Sequence, residues 1–247
     1  MKVCSNFIKT KVYPVIVVII LVLLIGLISE FITLKVSKLF NPETIKSYSW
    51  INLYIHHFFE MVFAIVVMLI LGGGLKNYGL TLKSKKLYIY PAIFVGVLFG
   101  IVMILVDYFP TILSGSKITG YDLNTTNVIG WLSFEWLFAG FSEEILVRGL
   151  LMTYLMKKFN GHIKFLKWDI HVAGVIIAVL FSLMHITSFW SGNLIYAIGQ
   201  QIYAFILGLC FAYFYEKSRS LLSPIIAHNL SNGIEYLILF LLIASGH

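Results

Sequence analysis

Long apolar runs alternate with short polar connections along the whole chain, and the runs have membrane-crossing length. An α-helix needs about 20 apolar residues to cross a hydrocarbon core about 30 Å thick. The first run, Val12 to Leu34, follows Lys2, Lys9 and Lys11 and carries Glu30 near its far end. It is too long for a secretory signal and lacks a small-x-small exit, so it predicts a first transmembrane helix. Lys35 to Ser49, with Asn41-Pro42, reads as a polar connection. A second span, Trp50 to Leu71, should stop at Gly72-Gly73-Gly74. Beyond a loop carrying Lys76, Lys83, Lys85 and Lys86, a third span covers Leu87 to Val106. Gly96 and Gly100 stand in it in the register that lets helices approach closely.

Asp107 to Asn127 reads as a long, nearly uncharged loop with Pro110, Gly115 and Gly120. The fourth helix should run from Val128 to Phe159, about 45 Å at 1.5 Å per residue. That exceeds the hydrocarbon thickness, so it must tilt, kink or protrude. Lys157, Lys158, Lys164 and Lys167 lead to a fifth span, His171 to Phe189, and an uncharged turn at Trp190 to Asn193. A sixth span covers Leu194 to Tyr215 and closes with Glu216, Lys217 and Arg219. Ser223-Pro224 fits an N-cap followed by the first helical position, so a seventh helix should start there and continue to Ala244.

The prediction is an all-α, polytopic transmembrane bundle of about seven spans, a single membrane domain over 1–247. Its spans in 1–127 carry only topology, and 128–244 forms a core with the chemistry. Composition agrees: 60% of residues are hydrophobic, 12% are charged, and the mean hydropathy is +0.92. A soluble domain is about half apolar and a quarter charged. Lys and Arg exceed Asp and Glu by 18 to 11, but the excess is spread over inter-helix segments and does not point to nucleic acid. With the N-terminus inside, 13 cationic residues lie in inner segments and four in outer ones (Lys35, Lys38, Lys46 and Lys117). Such an imbalance predicts a cytoplasmic N-terminus. Cys4 and Cys210 do not suggest a disulfide framework or a CxxC metal site.

Against this apolar background the charged residues inside the spans stand out. Phe141-Ser-Glu-Glu-Ile-Leu-Val-Arg-Gly149 places Glu143, Glu144 and Arg148 within an apolar stretch. A carboxylate at the bilayer centre costs at least about 2.5 kcal/mol, so two of them must be neutralised, solvated in a cavity, or used. On a helix Glu144 and Arg148 are i,i+4 partners with the acid N-terminal, the better order. Glu143 lies roughly 140° around the axis from Arg148 and has no such partner. Phe181 and His185 share a helix face on the fifth span, as do His228 and Asn232 on the seventh. A bundle can bring these faces together around a small wet cavity holding Glu143, His185, His228 and Asn232. Glu60, Glu135 and Glu235 read as structural or interface groups, and His56 and His57 as interfacial.

Glu143-Glu144-x-x-x-Arg148, Phe181-x-x-x-His185 and His228-x-x-x-Asn232 resemble, in order and on separate apolar helices, the three motifs of the CPBP intramembrane proteases. That family includes the type II CAAX prenyl endopeptidases and the Abi group linked to bacteriocin immunity. The resemblance covers Val128 to Ala244. It implies peptide-bond hydrolysis in which Glu143 and His185 activate a water and His228 and Asn232 form an oxyanion hole, with Glu144, Arg148 and Phe181 in support. Residue chemistry agrees: a carboxylate withdrawn from water can take and return a proton, and an amide or imidazole N–H can donate to a developing oxyanion. No serine or cysteine stands in a nucleophile setting. A zinc-dependent version would use His185, His228 and Glu143 as ligands. HExxH is absent and Asn232 is a poor zinc ligand, so a cofactor-free reaction is the expectation. A non-catalytic accessory or immunity protein is the alternative from another class; a transporter is a third, unsupported by repeated halves or broken helices. The expected partners are a peptide or protein substrate at the membrane and the lipid bilayer, and the expected location is a bacterial cell membrane.

Overall fold

The computed structural model describes residues 12–82, 88–165, 168–191 and 193–246. The described residues form seven long rods: α1 (Tyr13–Val36), α2 (Trp50–Leu71), α3 (Ile89–Asp107), α4 (125–156), α5 (Val172–Met184), α6 (Leu194–Ser218) and α7 (Leu222–Ala244). Six of them, α1 and α5 with short 3-10 extensions, are long and apolar enough to cross a membrane. The exception is α4. It passes from α-helix (Thr125–Ser133) to π-helix (Phe134–Phe138), back to α (Ala139–Glu144), again to π (Ile145–Met152), and ends in α (Thr153–Met156). Widened π turns recur at functional sites, and here they flank the glutamate pair on both sides.

Successive rods run in opposite directions. At one end the Leu221 N–H donates to Gly79 O (2.9 Å), the Tyr88 N–H to Ser223 Oγ (3.0 Å), and the His171 N–H to Glu216 Oε2 (2.7 Å). These bonds gather the starts of α3, α5 and α7 with the ends of α2 and α6. Arg219 beside Met156 adds the end of α4. Lys76, Lys157, Lys158, Lys164, Lys217 and Arg219 all belong to this basic end. Lys2, Lys9, Lys11, Lys83, Lys85, Lys86 and Lys167, assigned to the same side by the sequence, lie outside the described residues, as does Cys4. At the opposite end Ser37 bonds Asn52 (2.6 Å), and Tyr121 lies 3.5 Å from the hydroxyls of both Tyr108 and Tyr236.

Several boundaries differ from the sequence pattern. The stretch between α4 and α5 is an antiparallel hairpin, β1 (His162–Phe165) with β2 (Trp168–His171). His171 does not open the fifth helix but caps it, its Nδ1 accepting from the Ala173 N–H at 3.0 Å. Burial holds this imidazole below its usual pKa, which keeps that nitrogen available as an acceptor. α5 stops at Met184, with His185 as C-cap and 3-10 turns over Ile186–Ser191. The uncharged loop contains a short helix, Phe109–Leu113, and α4 starts early because Asn124 caps it, its Oδ1 accepting from the Asn127 N–H at 2.9 Å. Ser223 does not cap α7. That helix starts at Leu222, whose N–H donates to Ser220 Oγ (3.2 Å), while Ser223 turns to Tyr88 at the start of α3. Pro224 then falls within the first turn, where a missing N–H costs nothing. Gly72, Gly73 and Gly74 all take positive φ (81°, 91° and 73°) and end α2.

α7 lies against α3 on one side and α4 on another. A Cβ on Gly100 would fall 2.8 Å from Ile234 Cβ and 2.9 Å from Ser231 O. One on Gly140 would fall 2.8 Å from His228 Cβ. Both backbones therefore approach the very turns of α7 that carry His228, Ser231 and Asn232. Among helices that gain nothing by hiding from water, such close packing is the main source of association. The outer face of α1 presents Ile16, Ile20, Leu23, Leu27 and Phe31 to the surroundings, whereas Leu146, Leu150, Ile177, Phe211 and Ala227 are wholly buried.

Candidate active site

The site is built outward from Arg148, the largest fully buried side chain described. Its Nη1 donates to Glu144 Oε1 at 2.8 Å and its Nη2 reaches Gly208 O at 3.4 Å. The guanidinium lies over the rings of Phe181 (4.4 Å) and Phe211 (5.1 Å), a favourable place for a desolvated cation. The i,i+4 spacing thus forms an ion pair, with an aromatic floor from α5 and α6 beneath it.

Glu144 has a second partner. Its Oε1 lies 2.9 Å from His228 Nδ1 on α7. A carboxylate only accepts, so Nδ1 carries the proton. Phe211 stacks on the same imidazole at 5.1 Å between centroids. The other nitrogen, Nε2, faces Glu143 Oε2 at 3.8 Å. Glu143 itself makes no hydrogen bond among the described residues. Its other oxygen lies 3.9 Å from Nδ1 of His57, on α2. One carboxylate is consumed by a buried network and the adjacent one stands between two imidazoles.

His185 Nδ1 lies 2.9 Å from Phe181 O. A carbonyl also only accepts, so this ring holds its proton on Nδ1 and keeps Nε2 as an acceptor. His228 lies six residues into α7 and His185 thirteen beyond the start of α5, and the ring of Phe181 links the two. That ring meets His185 at 5.1 Å and His228 at 5.8 Å. On α7 the Asn232 amide donates to Glu135 Oε2 at 3.0 Å. An amide nitrogen has two hydrogens, so one donor remains.

Glu143, His185, His228 and Asn232 all line one cavity of about 300 Å³. From these residues it extends past Glu235 and Tyr203 to Asp107 and Tyr121, at the end opposite the basic one. Phe181 and Phe211, which lie against Arg148, also line it. Asp107 Oδ2 accepts from the Tyr203 hydroxyl at 2.8 Å.

One sequence reading needs correction here. His57 is not interfacial but reaches the cavity wall beside Glu143. Glu135 and Glu235 line the same cavity, and Glu60, 5% exposed, lies 3.9 Å from His57, places compatible with the structural roles expected of them. The three-residue spacing of His57 and Glu60 inside an apolar run was the available signal. Its depth could not be judged without knowing which way α2 is rotated. His56 faces Glu30 of α1 at 3.2 Å instead.

Zinc would require Glu143, His185 and His228 as converging ligands. Among the described residues no three His, Cys, Asp or Glu side chains are arranged to hold a metal ion.

A carboxylate, imidazoles and an amide around one small cavity within apolar helices can move protons and bind a developing oxyanion, the equipment of a hydrolase set inside a membrane protein. The model of the family described as Rce1-like, type II CAAX prenyl endopeptidase Rce1-like, matches residues 125–234, from the first turn of α4 to just beyond Asn232. Over these residues the chain is similar to that family, and its six helices long and apolar enough to cross a membrane mark it as an integral membrane protein. No curated protein and no solved structure matches the chain.

Proposed function

We propose that the protein is an endopeptidase that cleaves a membrane-associated or secreted-peptide precursor with a water activated by Glu143, without a metal. The observation that carries this reading is the unequal fate of the glutamate pair: Glu144 is held by Arg148 and His228, and Glu143 stands in the cavity with no hydrogen bond among the described residues. Glu143 takes a proton from water as the hydroxide adds to the scissile carbonyl, and His185 Nε2 helps to orient that water. The same proton then passes from Glu143 to the leaving amine nitrogen, releasing an acid and an amine. The free N–H of Asn232 donates to the oxyanion, joined by the Nε2–H of His228 when that ring carries a second proton, and Glu144 holds the imidazole through Nδ1. Such donors typically contribute about 2.7–4 kcal/mol each to the transition state. A prenylated C-terminal peptide is the substrate class named by the family description, and a bacterial peptide precursor is the reading we favour, in a bacterial cell membrane.

The test is cleavage of candidate peptides, a farnesylated CAAX-ended peptide among them, by purified protein in detergent. Glu143→Gln should abolish turnover with melting behaviour close to the parent. A folded Gln variant with parental turnover would remove the assignment.

A further inference from the structure

α2 lies outside the segment that matches the protease family, yet it supplies a side chain to the centre of the site. His57 Nδ1 is 3.0 Å from Ser142 Oγ. The Ser142 hydroxyl lies 3.0 Å from Phe138 O and 2.9 Å from Ala139 O. Carbonyls only accept, so the serine proton is committed to its own helix and the serine oxygen accepts from His57. The proton of His57 is therefore on Nδ1, and the same nitrogen is 3.9 Å from both Glu143 Oε1 and Glu60 Oε2. Phe134 braces the imidazole edge-on at 5.1 Å. From Glu60 through His57, Glu143, His228 and Glu144 to Arg148, acidic and basic groups alternate without a gap above 3.9 Å, across α2, α4 and α7.

We infer that His57 is a positioning residue for Glu143, holding the Oε1 side of the carboxylate as His228 flanks the Oε2 side. This rests on the reading of Glu143 as the group that activates water. Glu143 projects into a cavity from a rod with π turns on either side, and its carboxylate has no hydrogen bond among the described residues. An imidazole on each side, His57 at 3.9 Å and His228 at 3.8 Å, restricts its rotation to orientations that face the cavity. Ser142, adjacent to Glu143 on α4, fixes the imidazole so that α2 and α4 keep one register.

The experiment measures kcat and KM on a farnesylated CAAX-ended peptide for His57→Leu, His57→Asn, Ser142→Ala and Glu143→Gln, with thermal unfolding of each in detergent. His57→Leu, which keeps bulk and loses the donor, should lower kcat by about 10–100-fold with KM within about twofold, the scale on which small misplacements act. His57→Asn, which restores an N–H near the Nδ1 position, should recover most of that loss. A purely structural role would instead track the melting temperature and show no such rescue. If Glu143→Gln is inactive and His57→Leu keeps parental kcat, or raises only KM, the inference is overturned and the Glu143 reading survives. If Glu143→Gln is fully active, the underlying reading itself fails. Should His57→Leu not fold, Ser142→Ala decides: a several-fold fall in kcat supports the inference and an unchanged kcat overturns it.

Discussion

His228 Nδ1 lies 2.9 Å from Glu144 Oε1, the same oxygen that Arg148 reaches at 2.8 Å. One carboxylate oxygen thus neutralises a fully buried guanidinium and fixes the tautomer and orientation of an imidazole on another helix. Breaking a buried pair by removing one partner strands the other charge, at a typical cost of about 3–5 kcal/mol. Glu144→Gln should therefore lower unfolding stability by that order and reduce turnover about 10–100-fold, because the charged anchor of His228 is lost. Thermal unfolding in detergent together with peptide cleavage checks this; an unchanged melting temperature would remove Glu144 from the network.

Asn232→Ala should lower kcat by roughly 10²–10³-fold with little change in KM, the pattern of an interaction made mainly in the transition state. Its anchor Glu135 provides the graded control. Glu135→Ala removes one hydrogen bond from the amide and should cost only up to about tenfold, in line with about 0.5–1.5 kcal/mol for such a bond. Steady-state kinetics on the two variants would contradict this if Glu135→Ala proved the more damaging.

Metal dependence is decided by chelation. Hydrolysis by Glu143 and water predicts that prolonged treatment with a strong chelator leaves the rate unchanged, and that elemental analysis of active protein finds no stoichiometric zinc. Activity lost on chelation and restored by added zinc would establish the zinc version, with Glu143, His185 and His228 drawn together as ligands.

Gly100→Val tests the packing that holds α7. A Cβ at this position already meets Ile234 and the Ser231 carbonyl below 3.0 Å, so α7 must shift. Overpacking of this kind typically costs about 1–3 kcal/mol, and a displacement of about 1 Å at the site can cost 10²-fold in rate. Unfolding and cleavage measurements should fall together; parental behaviour in both would show that the α3–α7 contact is looser than described.

The alternation of the rods predicts sidedness. A single cysteine introduced at Lys164, on the basic end, should be labelled by an impermeant maleimide only from the cytoplasmic side, and one at Ser116 only from outside. The sequence also expects Ser84, which lies outside the described residues, on the cytoplasmic side. Labelling of both positions from one side would contradict the alternating arrangement.

The spans were legible in the sequence because hydropathy is a local property: a run of about 20 apolar residues must be buried in lipid whatever its neighbours do. The Glu144–Arg148 pair was legible for the same reason, since four residues is one helical turn. The long-range relations were not. His228 lies 84 positions from Glu144, and their contact depends on the rotation of α7, which the close approaches at Gly100 and Gly140 set. Ser223 has a cap residue's chemistry, but the neighbouring start of α3 supplies a donor that no local pattern reveals. The π turns of α4 redirect its side chains without leaving a sequence signature. His57, two turns into α2, could face lipid, a helix interface or the cavity. Local sequence fixes which segments are helical and apolar; only packing fixes the phase and depth of each helix, and these place His57 beside Glu143.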